Sequence, residues 1–575
     1  MKLFRPLASF ALTLGLAVIL GDVTVEAAQQ PTKQEKQLKR KLAIEAAKAK
    51  IAPADPAKVV KPEAAPLKAA VPMGPIGPKD AALVAKMIDE QIAKKLAEAK
   101  VSASPLSSDE EFLRRVYLDL TGVIPTSDKA RAFLDNRDAD KRAKLIDELL
   151  ESPNFGRHLA DIWQAKLLPR DSGNRFVLRE PFVKWLETEF NKNEPWNQFV
   201  TNLVAASGTV EENPAVTYFL ANRMVDKITD GVALNFLGVQ LQCAQCHNHP
   251  FTDWKQTEYW GMAEFFSKVR ADNPRNANKG GDNTKIGVTE GPNRAKGKDF
   301  FPESAKTVPA KFLGGDAPKL SATEPYRPVL AKWMTDANNP FFAKAMVNRT
   351  WALLFGTGFV NPIDDMHDGN LASHPELFES LARNFAGNGF DLKNLYRAFC
   401  NTQAYQRASK PFNGNHTDDQ LFSHMTVKVL SPEQLFDSLG TVTGADKGIA
   451  ERTAKVAAAN PKRGSAGPRD QFVQFYLAGA DSSNSTEYEA GIPQALKLMN
   501  SKITGNPNVI RQYVTSGDKP EVSFERIYLA TLSRKPTAAE VKRLSEYVAK
   551  AATANEAYGD ILWVMLNSSE FTMVK

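Results

Sequence analysis

From Asp80 onward, apolar residues recur three and four positions apart along most of the chain, which predicts amphipathic helices. Leu83, Met87, Ile88, Ile92 and Leu96 form the first such face, with Asp80 placed to cap its start. Ser107 and Glu110 have capping-box spacing ahead of the next, in which Phe112, Val116 and Leu120 share a side and Thr121-Gly122 is the stop. Short amphipathic segments follow at Ser127–Leu134 and Lys141–Leu150, then a helix through Phe155, Leu159, Ile162 and Trp163. The texture changes over Val269–Tyr326, which is rich in Asn, Gly, Lys and Pro. Its apolar runs are short (Lys285–Val288, Val308–Phe312), so it reads as a loop-rich insertion with one or two β-hairpins. Helical spacing returns at Tyr326–Met334, Phe341–Phe355, Pro375–Ala386, Leu392–Cys400 and Ser431–Leu439. Lys447–Gln471 is a second polar loop. The chain then closes with Phe524–Leu532, a capping box at Thr537 and Glu540, and Ile561–Leu566. The fold class expected is mainly α: two helical domains, 79–268 and 326–575, with a loop-rich or small β insertion, 269–325, between them.

The first 78 residues have another character. Lys2 and Arg5 precede an apolar run, Leu7–Leu20, and Val25-Glu26-Ala27 offers a small-residue cleavage site. That is the layout of a secretory signal peptide over residues 1–27, so the expected location is periplasmic or secreted. The 14 residues of the run fall short of the span needed for ~30 Å of hydrocarbon, and no later segment is long and apolar enough to cross a membrane. Residues 28–78 are rich in Lys, Ala and Pro; seven prolines from Pro53 to Pro78 oppose a lasting helix, and an extended tether is predicted. Residues 29–78 hold ten basic and four acidic side chains out of a net charge of +7 for the whole chain. The body is therefore nearly neutral. The charge belongs to the tether, where it suits an anionic envelope polymer, and gives no support for nucleic-acid binding.

Chemistry concentrates in Leu237–Phe266. Only 3 cysteines occur, and two of them form Cys243-x-x-Cys246-His247. This is the attachment signature of c-type haem: two thiols bond the porphyrin and the adjacent imidazole takes an axial position on iron. Two alternatives stand beside it. Cys243, Cys246, His247 and His249 are soft sulfur and imidazole ligands that suit zinc; four ligands within seven residues are cramped for a tetrahedron, but three with a remote ligand such as His374 would serve. In an oxidising compartment the neighbouring thiols can also close a local disulfide. Cys400 falls on an apolar helix face and reads as a buried, inert thiol.

Several stretches together resemble a known family. FLRRVYLDLTGVIPT (Phe112–Thr126), LIDELLESPNFGRHLADIW (Leu145–Trp163) and LGVQLQCAQCHNHPF (Leu237–Phe251) are similar to a cytochrome-like domain of uncharacterised function in large secreted planctomycete proteins. Asn339–Met366, Ser373–Ala382, Ser431–Gly440, Pro493–Ser501 and Leu529–Glu540 resemble its usual partner, a second domain without an assigned activity. The resemblance implies helical architecture, export and a haem or redox link, and supplies no reaction. His374, in the family-like Ser373-His374-Pro375-Glu376, and Met499 are the candidate second axial ligands; His367 falls outside the family pattern, and His249 is too close to His247 to reach the opposite face. Arg349 or Arg115 would suit haem propionates, with structural ion pairs as the plainer role.

Weaker signals are read the same way. Arg114, Arg115 and Asp119 form either a charge cluster at a site or an interdomain ion pair, and Asp364-Asp365 either an acid/base pair or a loop cap. Trp163, Trp254, Trp260 and Trp351 would serve a carbohydrate cleft or, more simply, the core. No nucleophile elbow, phosphate loop or dinucleotide fingerprint is present. The leading expectation is extracytoplasmic electron transfer or redox chemistry at haem c, with an unknown redox partner. Its rivals are a non-redox envelope binding or assembly protein, whose cysteines form a disulfide or zinc staple, and a polymer-degrading enzyme.

Overall fold

The computed structural model describes residues 80–169, 177–271, 283–291, 307–444, 467–477, 491–501, 504 and 508–575. The signal-peptide and tether expectations lie outside the described residues, as do much of the insertion and most of the second polar loop. Helix Ala81–Ala99 starts where expected, because Ala82 N donates to Asp80 Oδ1 at 2.8 Å. Its buried face is Val84, Ile88, Ile92 and Leu96, and Leu83 turns to solvent.

The next helix, Asp109–Thr121, differs at its start. Ser108, not Ser107, is the cap, accepting from Glu111 N at 3.3 Å. The Ser107 backbone is held elsewhere, its N–H donating to Gln406 O and its carbonyl accepting from Arg142, both at 2.8 Å, and its hydroxyl is left buried without a hydrogen bond. Tertiary hydrogen bonds over long separations override the local motif. Gly122, at φ 70°, stops the helix.

Both helical halves contribute to one core. Ile88, Phe112, Trp163 and Phe236 from the first half share it with Trp351, Leu381 and Phe399 from the second. A second core joins Leu118 and Ile124 to residues from Leu430 to Val574. The insertion supplies short strands, as its apolar run at Lys285–Val288 suggests. β3 (Gly287–Glu290) lies between β1 (Gly208–Thr209) and β2 (Val269–Ala271), antiparallel to both, with Val288 opposite Gly208 and Val269 opposite Glu290. Glu290 then holds the start of helix Arg327–Met334, accepting from Tyr326 N at 2.6 Å and from Arg327 Nε at 3.0 Å.

Arg114, Arg115 and Asp119 serve structure, but through other partners than the expected pairing of Arg115 with Asp119. Arg114 donates to the carbonyls of Thr531 (3.0 Å), Phe571 (2.6 Å) and Met573 (3.4 Å). Arg115 reaches Tyr405 O (2.7 Å), Arg407 O (2.9 Å) and Lys575 O (2.8 Å) and pairs with Glu111. Asp119 accepts from Tyr405 Oη at 2.9 Å and Lys428 Nζ at 2.7 Å. Burial pulls the Arg114 guanidinium down to about 10, and carbonyl oxygens supply the hydrogen bonds it loses from water. Among the described residues no helix is long and apolar enough to cross a membrane.

Candidate functional site

Helix Val225–Val232 runs into a π-turn, Ala233–Leu237, a distortion often found at functional sites. It ends at Gly238, with φ 65°. A side chain is barred there twice: by the left-handed backbone, and because an added Cβ would lie 2.5 Å from Met366 Cε. Val239 and Leu241 are buried and anchor the chain as it enters the short 3-10 turn Gln242–Gln245, where Ala244 faces inward. Cys243, Cys246 and His247 are left exposed, and both cysteines are free thiols.

Helix Gln256–Glu264 clamps this turn from behind. Gln256 Nε2 donates to the carbonyls of Gln245 (3.1 Å) and Cys246 (3.0 Å), and Trp260 Nε1 donates to Gln245 O (3.0 Å). Gln256 N donates to Asn248 Oδ1 at 3.0 Å. The backbone around the sulfurs is thus fixed while the sulfurs face water.

Hydrogen-bond partners decide the imidazole tautomers. His247 Nδ1 lies 2.7 Å from Asn248 O, and a carbonyl only accepts, so Nδ1 carries the proton. The Nε2 lone pair of an exposed ring is then free, the state a metal-binding histidine requires. His249 is the reverse. Its Nδ1 accepts from Phe251 N (3.3 Å) and Thr252 N (3.1 Å), which places the proton of the neutral ring on Nε2. Neither nitrogen of His249 then offers a lone pair to a metal, so the four-ligand zinc set does not fit this arrangement.

The second half reaches this turn through the loop after helix Phe342–Phe355. Met366 N donates to Gly238 O at 2.9 Å. The two aspartates point apart. Asp364 accepts from Arg349 at 2.5 Å, while Asp365 faces His367 Nε2 at 3.7 Å. Gly369 N donates to His367 Nδ1 at 3.1 Å, repeating the His249 arrangement. Burial pushes the His249 imidazole below its ordinary value, Asp365 opposes that, and His367 and His247 add to it, so these groups form one electrostatic cluster. Arg349 also donates to Asn235 O at 2.5 Å and stands 5.1 Å from the Trp163 ring, tying the π-turn to the loop.

Asp230 and Tyr259 stand beside the turn and were not singled out by sequence. Tyr259 Oη donates to Asp230 Oδ1 at 3.1 Å, and burial raises the carboxyl to about 6. Burial, Asp230 and the nearby Cys246 all push the Tyr259 phenol up. The signal available was the spacing of Gln256, Tyr259 and Trp260, which puts three hydrogen-bonding side chains on one helix face just after the motif.

The other sequence candidates lie among different neighbours. His374 is buried against the rings of Phe359 and Phe422, with its Nδ1 3.0 Å from Ser373 Oγ. Burial, reinforced by Lys95, pushes it down to about 4. Met499 ends the surface helix Ile492–Met499, where its carbonyl accepts from Trp563 Nε1 at 3.2 Å. None of these described contacts includes a residue of the Cys243–His249 turn. The loop that follows Phe342–Phe355 comes alongside it, bringing Asp365, Met366 and His367. Arg349 and Arg115 are bound to carbonyl oxygens and a carboxylate each, so a propionate role would require breaking those contacts. The four tryptophans are core residues, which removes the motive for a carbohydrate cleft. Cys400 is fully buried and its thiol is raised well above the ordinary value by burial, as expected of an inert group.

These features define a mainly helical protein whose exposed dithiol–imidazole turn is built from one half and flanked by the other. Residues 87–271 match the family PSCyt2, described as a protein of unknown function (DUF1549). Residues 326–548 match PSD1, likewise a protein of unknown function (DUF1553). The chain belongs to the proteins that carry both uncharacterised domains, and its cysteine–histidine turn lies in the first while Asp365 and His367 lie in the second. No curated protein and no solved structure matches the chain.

Proposed function

We propose that the protein is an extracytoplasmic haem c carrier acting in electron transfer. Cys243 and Cys246 would hold the porphyrin as thioethers, and His247 would ligate the iron. The supporting observation is the state of the turn. Two free, exposed thiols three residues apart are followed by an exposed imidazole whose Nδ1 is hydrogen-bonded and whose Nε2 is open. The bound group would supply one-electron redox chemistry. The chain's own part is positional: Gln256 and Trp260 fix the backbone around the sulfurs, and Asn248 fixes the imidazole tautomer. The test is expression in a host with haem-attachment machinery. A Soret band and a mass gain of one haem that survives denaturation are expected, both lost in Cys243→Ser/Cys246→Ser. A colourless wild-type protein sinks the proposal.

A second reading rests on the same exposure. No described apolar shell closes over the two sulfurs, and a disulfide staple in an envelope binding or assembly protein needs none. Colourless protein with neither thiol titratable would favour it.

A further inference from the structure

The two loops at the candidate site also present the two most exposed large apolar side chains among the described residues. Phe251 is 85% exposed and Leu371 83%. Single exposed apolar residues are ordinary on protein surfaces. What separates these two is that one sits on, and the other directly follows, a turn closed by hydrogen bonds.

Phe251 occupies a turn closed by His249 N donating to Trp254 O at 2.8 Å, with the Phe251 and Thr252 amides bonded to His249 Nδ1. Leu371 follows a turn closed by Asn370 N donating to His367 O and Asn370 Nδ2 donating to Asp365 O, both at 2.9 Å. In both turns a histidine uses Nδ1 to accept a backbone N–H two residues on. The turns are neighbours: His249 feels the charges of Asp365 and His367, and Met366 N bonds to Gly238 O. A backbone held in advance loses little freedom on binding, which favours the anchors that it carries.

The charges around them are mainly negative. Asp253, Asp365 and Asp368 lie on the two turns, against Lys255 alone. Asp364 is already neutralised by Arg349. An acidic rim around apolar anchors repels a polyanion and attracts a basic surface.

We infer that the Phe251 and Leu371 turns form a docking surface for a basic protein with an apolar centre to its contact face. The inference deepens the electron-transfer reading by naming the chemistry of the partner, yet the surface is made by protein side chains and exists with or without haem. Docking here would cover the Cys243–His247 turn and bring the partner against the site. Weak, salt-sensitive contact of this kind suits a redox encounter.

The test is calorimetric binding of the full chain to two small single-haem cytochromes, one basic and one acidic, at low and high salt. Protein from hosts with and without haem attachment is used, so that a missing Soret band condemns the haem reading alone. The expected result is binding of the basic probe only, weakened by salt. It should be weakened about ten-fold or more in Phe251→Ser/Leu371→Ser, as for loss of interface anchors. Asp253→Lys/Asp368→Lys should weaken it and flatten the salt dependence. Circular dichroism checks that the variants keep their helices. No binding by the wild type, equal binding of the acidic probe, or undiminished binding by Phe251→Ser/Leu371→Ser would each overturn the inference.

Discussion

Asp230→Asn tests whether the carboxyl behind the cysteine turn is held in surroundings that favour its neutral form. Its pKa rises from 3.8 to about 6, chiefly through burial, with the Tyr259 hydroxyl opposing the shift. A folded-state value above the unfolded one means that the native protein binds the proton more tightly. The associated stabilisation is fully present below about pH 3.8 and is lost as pH rises through about 6. At 1.36 kcal/mol per unit, the difference amounts to about 3 kcal/mol across that window. Asparagine stays neutral and keeps an oxygen for the Tyr259 hydroxyl, and the stronger bond that the carboxylate makes is already contained in the shift. The variant should therefore be more stable than wild type by about 3 kcal/mol at pH 7 and lose most of that advantage near pH 4. Denaturant unfolding of both proteins at several pH values, followed by tryptophan fluorescence, measures the difference. Titrations common to both cancel. An effect of Asp230→Asn that is the same at pH 4 and pH 7 would refute the reasoning, because the carboxyl would then titrate alike folded and unfolded.

Three further outcomes are expected. In protein made without haem attachment, a thiol reagent should modify two cysteines in the folded state, Cys243 and Cys246, and reach Cys400 only after unfolding; a count of none before unfolding would instead indicate the disulfide. Gly238→Ala should cost about 2 kcal/mol, from the left-handed backbone and the displaced Met366 methyl, as read by unfolding midpoint. Arg469→Met should destabilise by about 3–5 kcal/mol at neutral pH, because Asp161 and Asp437 both lose a partner that stands at 2.6 and 2.7 Å. That loss should shrink on acidification, since burial already raises Asp161 and a proton can replace the guanidinium.

What the sequence revealed and what it hid divide by distance along the chain. The caps at Asp80 and Thr537 were readable because donor and acceptor lie two or three residues apart. Ser107 looked equally good and was displaced, since its partners Arg142 and Gln406 are 35 and more residues away. The exposed state of Cys243-x-x-Cys246-His247 is consistent with its polar surroundings in the sequence, but its flank was not readable. His367 comes within electrostatic range of His249 because helix Phe342–Phe355 lies against the π-turn, and no periodicity announces a helix-to-turn contact across 100 residues. Asp364 and Asp365 were correctly expected to point apart, because adjacent residues generally do. Which of them would turn toward the site was decided by Arg349, whose ties to Asn235 and Leu234 come from the other half of the chain.

The fastening of Arg114 and Arg115 bears on how the molecule is made. These two side chains leave the ribosome long before four of their acceptors, at Thr531, Phe571, Met573 and Lys575, more than 400 residues further along the chain. Until then their helix can gather its apolar side but not seat its guanidinium groups. Completion of the fold must wait until residues 531–575 have emerged, and a nascent chain stalled before residue 531 would hold two cations with most of their intended berths still missing.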